Sequence, residues 1–190
     1  MKNLIYRFAA MMVMVICLSM FAVVAYGDQM PDNMVIDEAQ WEAWSPQGKC
    51  DVFTFMRTAN NNDFSYSIPS GQSASHKKAS FIFNDKGHKQ LGNTEMYYGI
   101  SKGNIEYVGL WTEKKSIFQN KDFTEACIRL MMAYNIHFDS EQREYVSNLT
   151  RKEAEAVVNY CLKNVEHCLV GDLRIRVVQQ DDYYSFHMEH

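Results

Sequence analysis

The chain has 190 residues, of which 47% are hydrophobic and 22% are charged, and its formal net charge is −4. That length is enough to bury a substantial core. A mildly acidic protein with scattered lysines is a poor match for nucleic acid or for an anionic membrane surface, so we expect neither as a partner.

Residues 1–27 have the layout of a secretory signal peptide. Lys2 and Arg7 precede an uncharged apolar run, and the small residues Ala25 and Gly27 stand where a signal peptidase cleaves. We therefore predict cleavage after Gly27 and an exported protein, periplasmic or secreted, with no stable membrane span. The run is 18 residues long, a length that also permits a retained membrane anchor.

Removal of that segment leaves residues 28–190 as a single exported domain with 17 basic and 23 acidic residues, a formal charge of −6. Residues 28–40 are polar and include a proline, and we expect them to be flexible. Trp41 and Trp44 then share one side of a predicted helical turn. They either cover one end of the core or form an exposed aromatic pair for a glycan or a partner.

Alternating and strand-rich segments predict a run of strands in the first half of the domain. They are "CDVFTFMRT" (50–58), "FSYSI" (64–68), "ASFIFND" (79–85), "EMYYGI" (95–100) and "IEYVGLW" (105–111). The intervening "SKGN" (101–104) predicts a hairpin turn in which Gly103 takes a positive φ.

Helical periodicity replaces alternation in the next part of the chain. Residues 122–135 and 150–165 carry apolar positions three and four apart, and Thr150 with Glu153 forms a capping box. Asp139 with Gln142 suggests a short third helix. Two alternating segments, 173–178 and 183–188, then predict a terminal hairpin.

This order predicts an α+β fold, with a mainly antiparallel sheet of about five to seven strands packed on two or three helices. The strands have one apolar side and one polar side, which indicates a sheet that is covered on one side only.

The mature chain keeps four cysteines, an even number that predicts disulfides in an oxidising compartment. If their helices pack antiparallel, Cys127 and Cys161 meet. A helix continuing through Cys161 and Cys168 would separate them by about 10 Å, which is too far for a disulfide. We therefore favour Cys127–Cys161 with Cys50–Cys168, although a helix that ends early would allow Cys161–Cys168.

The sequence contains no dinucleotide-binding, phosphate-binding, nucleophile-elbow or zinc-protease motif. Its dispersed cysteines match neither a zinc site nor a C-x-x-C redox pair. We therefore predict no catalytic residue, no cofactor and no metal. Aromatic side chains form the candidate binding surface: Trp41, Trp44, Tyr97, Tyr98, Tyr107 and Tyr184.

These features favour a non-enzymatic exported binding or interaction protein, with an unknown protein or small ligand as its partner. Two alternatives remain. One is a small exported hydrolase, in which His137 or His167 meets a carboxylate and a nucleophile. The other is a structural envelope component held by an uncleaved N-terminal anchor.

Overall fold

The computed structural model describes residues 30–46, 50–66, 74–113, 121–164 and 166–190, without the side chains of residues 74–77 and 93. The predicted signal peptide, residues 1–27, lies outside the described residues. Residues 31–190 form one compact unit. Within the described ranges, no helix has both the length and the apolar character needed to cross a bilayer.

Most of the described chain belongs to one antiparallel sheet. Its nine described strands are β1 (Met34–Val35), β2 (Cys50–Asp51), β3 (Phe64–Ser65), β4 (Ala74–Phe83), β5 (Lys89–Ser101), β6 (Asn104–Glu113), β9 (His167–Val170), β10 (Leu173–Gln179) and β11 (Tyr183–Glu189). Their spatial order is β1-β9-β10-β11-β6-β5-β4-β3, and β2 pairs with the start of β6. A separate hairpin consists of β7 (Ile136–Asp139) and β8 (Glu144–Ser147).

The described residues also contain four helices: α1 (Glu38–Ala43), α2 (Val52–Asn61), α3 (Lys121–Tyr134) and α4 (Arg151–Asn164). Helices α2, α3 and α4 lie on one side of the sheet, which we call the helical face. Part of the segment that we expected to be flexible is structured, since β1 pairs with β9 and α1 begins at Glu38.

The class is α+β, but the expected numbers of strands and helices were wrong. The main sheet has nine strands in the described part of the chain, against the five to seven expected, and there are four helices there. Helices α3 and α4, the turn with Gly103 at φ +81° and the terminal hairpin of β10 and β11 match the sequence-based expectation.

Residues 52–61, most of which we expected to be a strand, form α2. The carboxylate of Asp51 accepts hydrogen bonds from the backbone N–H groups of Phe53 and Thr54, both at 3.0 Å, and so caps a helix start. Phe55 and Ala59 are buried, whereas Phe53 is 83% exposed. The apolar residues therefore follow a helical period, although their aromatic and β-branched side chains favour strands when only composition is considered.

Residues 139–148, where we expected a short helix, contain the end of β7, the turn of the β7–β8 hairpin and strand β8. The carboxylate of Asp139 accepts from the backbone N–H groups of Glu141 at 2.8 Å and Gln142 at 3.1 Å. Arg143 then takes a positive φ of +55°, which reverses the chain. The same carboxylate contacts can cap a helix or close a turn, and here they close a turn.

The core between the sheet and the helices is rich in aromatic rings. Phe64 stacks on Phe81 with ring centroids 4.6 Å apart, and Phe55 meets Tyr134 edge-on at 5.8 Å. The Tyr134 hydroxyl donates to the carbonyl of Glu106 at 3.1 Å, which ties α3 to β6. Burial of these rings is the main source of cohesion between the two layers.

An ion-pair cluster around the buried Arg129 joins α3 to two turns. Its guanidinium makes two 2.8 Å contacts with the carboxylate of Asp85 after β4, and its Nε donates to Glu125 at 2.6 Å. It also donates to the carbonyl of Asp63, which precedes β3, at 2.9 Å. Hydrogen bonding from Arg129 lowers the pKa of Asp85; burial raises the pKa of Glu125, but its bonds to Arg129 and Arg151 outweigh this and lower it.

We expect Arg129→Met to lower the free energy of unfolding by about 2–4 kcal/mol, because it leaves the half-buried Glu125 carboxylate without its main partner. Arg151→Met is the matched control. Its side chain is 54% exposed and pairs with the same carboxylate, so its loss costs about 1 kcal/mol or less. Urea unfolding monitored by circular dichroism measures both, and equal losses would contradict the central role of Arg129.

Candidate functional site

The second side of the sheet, which we call the groove face, carries a single row of side chains across five strands. In register, the row runs Lys78–Tyr97–Gly109–His187–Arg176, from β4 through β5, β6 and β11 to β10. Residues paired across antiparallel strands point to the same side. The register therefore places two cations at the ends of a row that has an aromatic centre.

Two tyrosine rings lie directly over glycine backbone on this face. A Cβ added at Gly109 would be 2.4 Å from Cζ of Tyr97, and one added at Gly99 would be 2.3 Å from Cε1 of Tyr107. Real Cβ atoms do not come that close to a ring. The absence of a side chain at these two positions therefore lets the rings pack on the sheet and form a floor.

Hydrogen bonds fix the ring of Tyr97. Its hydroxyl is 2.6 Å from Oγ of Ser185 and 3.0 Å from Nδ1 of His187, while Nε2 of His187 is 3.2 Å from Glu189. The tyrosine and histidine rings are stacked, 15° from parallel. Burial raises the pKa of Tyr97 to about 12, so its phenol is protonated at neutral pH.

A cavity of about 680 Å³ lies above this floor, and we call it the aromatic groove. Its size is within the range of small-molecule sites. It is lined by four aromatic side chains and two cations, together with smaller polar groups that include Gln180. The aromatic residues and cations are Tyr97, Tyr107, Trp111, Tyr183, Lys78 and Arg176.

The walls of the groove combine ring edges with positive charge. Trp111 meets Tyr183 edge-on with centroids 5.9 Å apart, and Nζ of Lys78 lies 4.6 Å from the centre of the Trp111 ring. Lys78 also pairs with Glu95 at 2.8 Å. Arg176 is exposed and forms no ion pair with any residue in the described ranges.

The structure divides the tyrosines of the predicted binding surface between the two sides of the sheet. Tyr97 and Tyr107 line the aromatic groove. Tyr98 and Tyr184 point to the helical face and are 0% and 2% exposed. Strand alternation sends successive side chains to opposite faces, so only one tyrosine of a neighbouring pair reaches the groove.

The two predicted tryptophans lie apart from the groove lining, on and just after α1. Trp41 is buried against His167, with ring centroids 4.6 Å apart, and against Arg174, whose guanidinium is 4.0 Å from the ring centre. Trp44 donates from its indole nitrogen to the carbonyl of Asp172 at 3.1 Å. Both side chains therefore dock α1 on the β9–β10 hairpin.

Sequence reasoning did not select most of the groove lining, including Lys78, Trp111, Arg176 and His187. The alternation that identified the strands also contained this information. In "IEYVGLW", every second residue from Tyr107 leads through Gly109 to Trp111. The predicted surface was instead based on tyrosines that are adjacent in sequence, and adjacent strand residues point to opposite faces.

The two histidines considered for hydrolysis have no nucleophile beside them within the described ranges. Nε2 of His167 is 3.0 Å from Glu38, and its ring packs on Trp41. Nδ1 of His137 is 2.7 Å from the side-chain oxygen of Asn148. Each histidine therefore has a polar partner but no serine or cysteine that it could activate.

A second cavity, of about 380 Å³, brings Cys50 and His190 to one wall. Burial raises the pKa of Cys50 to about 12 and lowers the pKa of His190. Nε2 of His190 is 2.9 Å from the carbonyl oxygen of Tyr134. At neutral pH the thiol and the imidazole are both uncharged, the opposite of the thiolate–imidazolium pair of an activated cysteine.

All four cysteines of the described chain are buried thiols, and neither favoured disulfide is formed there. The sulfur atoms of Cys161 and Cys168 lie 3.5 Å apart. We disfavoured the Cys161–Cys168 pair because we expected one helix to run through both residues. In the structure, α4 ends at Asn164 and β9 begins at His167. The chain reverses between them and brings the second cysteine back beside the first.

The described residues include no cluster of three or more histidine, cysteine or acidic side chains that could hold a metal ion. Comparison of the chain with protein-family models, with curated proteins and with solved structures found no match. The aromatic groove is therefore interpreted from its own geometry.

We expect Gly109→Ala to lower the free energy of unfolding by about 1–3 kcal/mol, because the new methyl group meets both the Tyr97 ring and the backbone oxygen of Phe186, 2.5 Å away. Gly92→Ala on β5 is the matched control, since no described atom lies within 4 Å of its added Cβ. Urea unfolding of both variants measures the difference. Equal stabilities would show that the ring of Tyr97 is not held against the sheet.

Proposed function

We propose that this chain is an exported, non-enzymatic binding protein whose ligand site is the aromatic groove. One observation carries the proposal: four aromatic rings converge on a cavity of about 680 Å³ beside two cations, on the side of the sheet opposite the core. A concave, ring-lined surface with a few convergent polar groups is the usual form of a ligand site.

Three of the aromatic rings in the groove do not belong to the core. Tyr107, Trp111 and Tyr183 are half-buried and point away from the helical face. Clusters of apolar side chains that stay in contact with water mark binding surfaces, since their burial against a ligand removes them from water. Aromatic residues suit this role because they offer a large, rigid area with few rotatable bonds.

The groove is also organised before any ligand arrives. Tyr97 is held by the backbone below it and by hydrogen bonds to Ser185 and His187. A ring that is already fixed loses little conformational freedom on binding, so more of the contact energy contributes to affinity. This rigidity supports a binding role.

A hydrolase is the second candidate, because the contacts Ser185–Tyr97–His187–Glu189 resemble a catalytic relay. The tyrosine, however, stands between the serine and the imidazole. Burial raises the pKa of Tyr97 to about 12, so its phenol stays protonated at neutral pH and no phenolate is present to take the proton of the serine. The relay is better suited to holding the Tyr97 ring than to catalysis.

The test is native mass spectrometry of the mature protein after incubation with the small-molecule fraction of its own culture. We expect wild type to carry a ligand adduct and both Trp111→Ala and Tyr183→Ala to lose it, with melting temperatures near that of wild type. Phe53→Ala is the matched control, because this aromatic side chain is 83% exposed on α2, away from the groove. It should retain the adduct.

Three results would count against the proposal. They are the absence of any adduct, an adduct that survives both groove substitutions, and labelling of Ser185 by a fluorophosphonate, which would favour the hydrolase.

The mass of the chain recovered from the envelope tests the export component of the proposal. A chain that begins at Asp28 supports cleavage, whereas an intact N-terminus supports the anchored alternative.

A further inference from the structure

We infer that the aromatic groove binds a ligand in which carboxylate groups are attached to a chain of rings, as they are in acidic saccharides. The inference rests on the proposed binding function and adds the chemical class of the ligand. Three features of the groove support it: the signs of the charges around it, the spacing of those charges and the shape of its aromatic floor.

The lining of the groove is positive although the chain as a whole is acidic. Lys78 and Arg176 line it, and no acidic side chain of the described residues does. Two carboxylates beside the groove are paired: Glu95 with Lys78 at 2.8 Å, and Glu189 with His187 at 3.2 Å. A local excess of positive charge in a protein of net charge −4 favours an anionic ligand.

Arg176 is the cation best placed to bind a carboxylate. It is exposed, forms no ion pair with any described residue, and pairs in register with His187 beside the aromatic floor. Its planar guanidinium can bind both oxygens of one carboxylate. Lys78 adds a second positive group, since its pair with Glu95 is a surface contact that can exchange partners at little cost.

The spacing of the two cations favours an elongated ligand. They stand four strands apart in one cross-strand row, a separation of about 19 Å between their backbones, given about 4.8 Å for each strand. Tyr97 lies between them. A ligand several rings long can pack its ring faces on the tyrosines while its carboxylates approach the cations, which a single small acid cannot do at both ends.

Hydrogen-bonding groups around the rings also fit a polar ring compound. The amide of Gln180 and the hydroxyl of Ser185 line the same cavity as Trp111 and Tyr183. Sugar rings present C–H groups on their faces and hydroxyls at their edges. An aromatic floor with polar edges can satisfy both, whereas a purely apolar ligand would offer the amide of Gln180 no hydrogen-bond partner.

The test is calorimetric titration with a galacturonate trisaccharide and with its methyl ester, which keeps the rings and removes the charges. We expect wild type to bind the acid about tenfold more tightly than the ester, and Arg176→Met to lose that preference. Arg57→Met is the matched control. It removes the same charge from an exposed position on α2 and should keep the preference.

Indole-3-acetate and indole-3-acetamide form the second arm, with a single aromatic ring in place of the saccharide. Binding of indole-3-acetate alone would assign the carboxylate to an aromatic acid and overturn the saccharide. Equal binding of acid and neutral forms, abolished by Trp111→Ala, would overturn the anionic class while leaving the groove as a site. Failure of all four probes, with the native adduct still present, would overturn the ligand class and not the proposed function.

A different observation carries a second inference, which concerns the cysteines. We propose that Cys161 and Cys168 form a disulfide when the protein folds in an oxidising compartment. Their sulfur atoms are 3.5 Å apart and both side chains are buried, so closing to the usual bond length of about 2.05 Å needs only a small adjustment. Cys50 and Cys127 are also buried, and we expect them to remain thiols.

The chemistry is a thiol–disulfide exchange. Each cysteine loses the hydrogen of its S–H bond, one S–S bond forms, and two electrons with two protons pass to the disulfide of an oxidoreductase, which is released as two thiols. Both sulfurs are fully buried in the folded protein, at 0% and 1% exposure, so the exchange takes place during folding.

Trypsin separates the possible pairings, because the four cysteines fall in four different peptides: 50–57, 122–129, 153–163 and 164–174. Non-reducing digestion of protein exported to an oxidising compartment, read by mass spectrometry, should join 153–163 to 164–174 and leave the other two with free thiols. Four free thiols, or a link from either peptide to 50–57 or 122–129, would overturn this pairing.

Discussion

The groove depends on the close approach of two tyrosine rings to a sheet backbone that lacks side chains at the points of contact. Tyr97 lies over Gly109 and Tyr107 over Gly99. With any larger residue at those positions, the rings would stand up from the sheet and fill the space now open to a ligand. Glycine usually weakens a strand because it has no side chain to pack. Here the ring of the neighbouring strand supplies that packing.

The two sides of the sheet carry different kinds of side chain. On the helical face, aromatic rings such as Phe55 and Tyr134 pack in a closed core, and the Arg129 cluster ties α3 to the neighbouring turns. On the groove face, half-buried rings and the exposed Arg176 border a cavity. Alternate residues of one strand point to the two faces, so the groove and the core are built from different side chains of the same strands.

The sequence predicted the individual elements well where two independent signals agreed. Periodicity and the Thr150–Glu153 capping box together identified α4, whose cap has the expected hydrogen bonds at 2.8 and 3.3 Å. Prediction failed where the same local sequence pattern is compatible with two different structures. Asp51 and Asp139 each bind nearby backbone N–H groups, yet one starts a helix and the other closes a turn. Contacts between residues distant in sequence decide between a helix start and a turn, and a local sequence pattern does not reveal those contacts.

The candidate site could be predicted only in part, because it also depends on contacts between residues distant in sequence. Strand alternation could have placed Tyr107, Gly109 and Trp111 on one side, but it could not show which strands are neighbours. The row from Lys78 to Arg176 requires the order β4-β5-β6-β11-β10, in which β11 inserts beside β6 after more than sixty intervening residues. That insertion brings the cation of β10 and the aromatic residues of β5 and β6 to opposite sides of β11. The combination of aromatic rings and cations that lines the groove is therefore a property of the topology, and no single segment of the chain contains it.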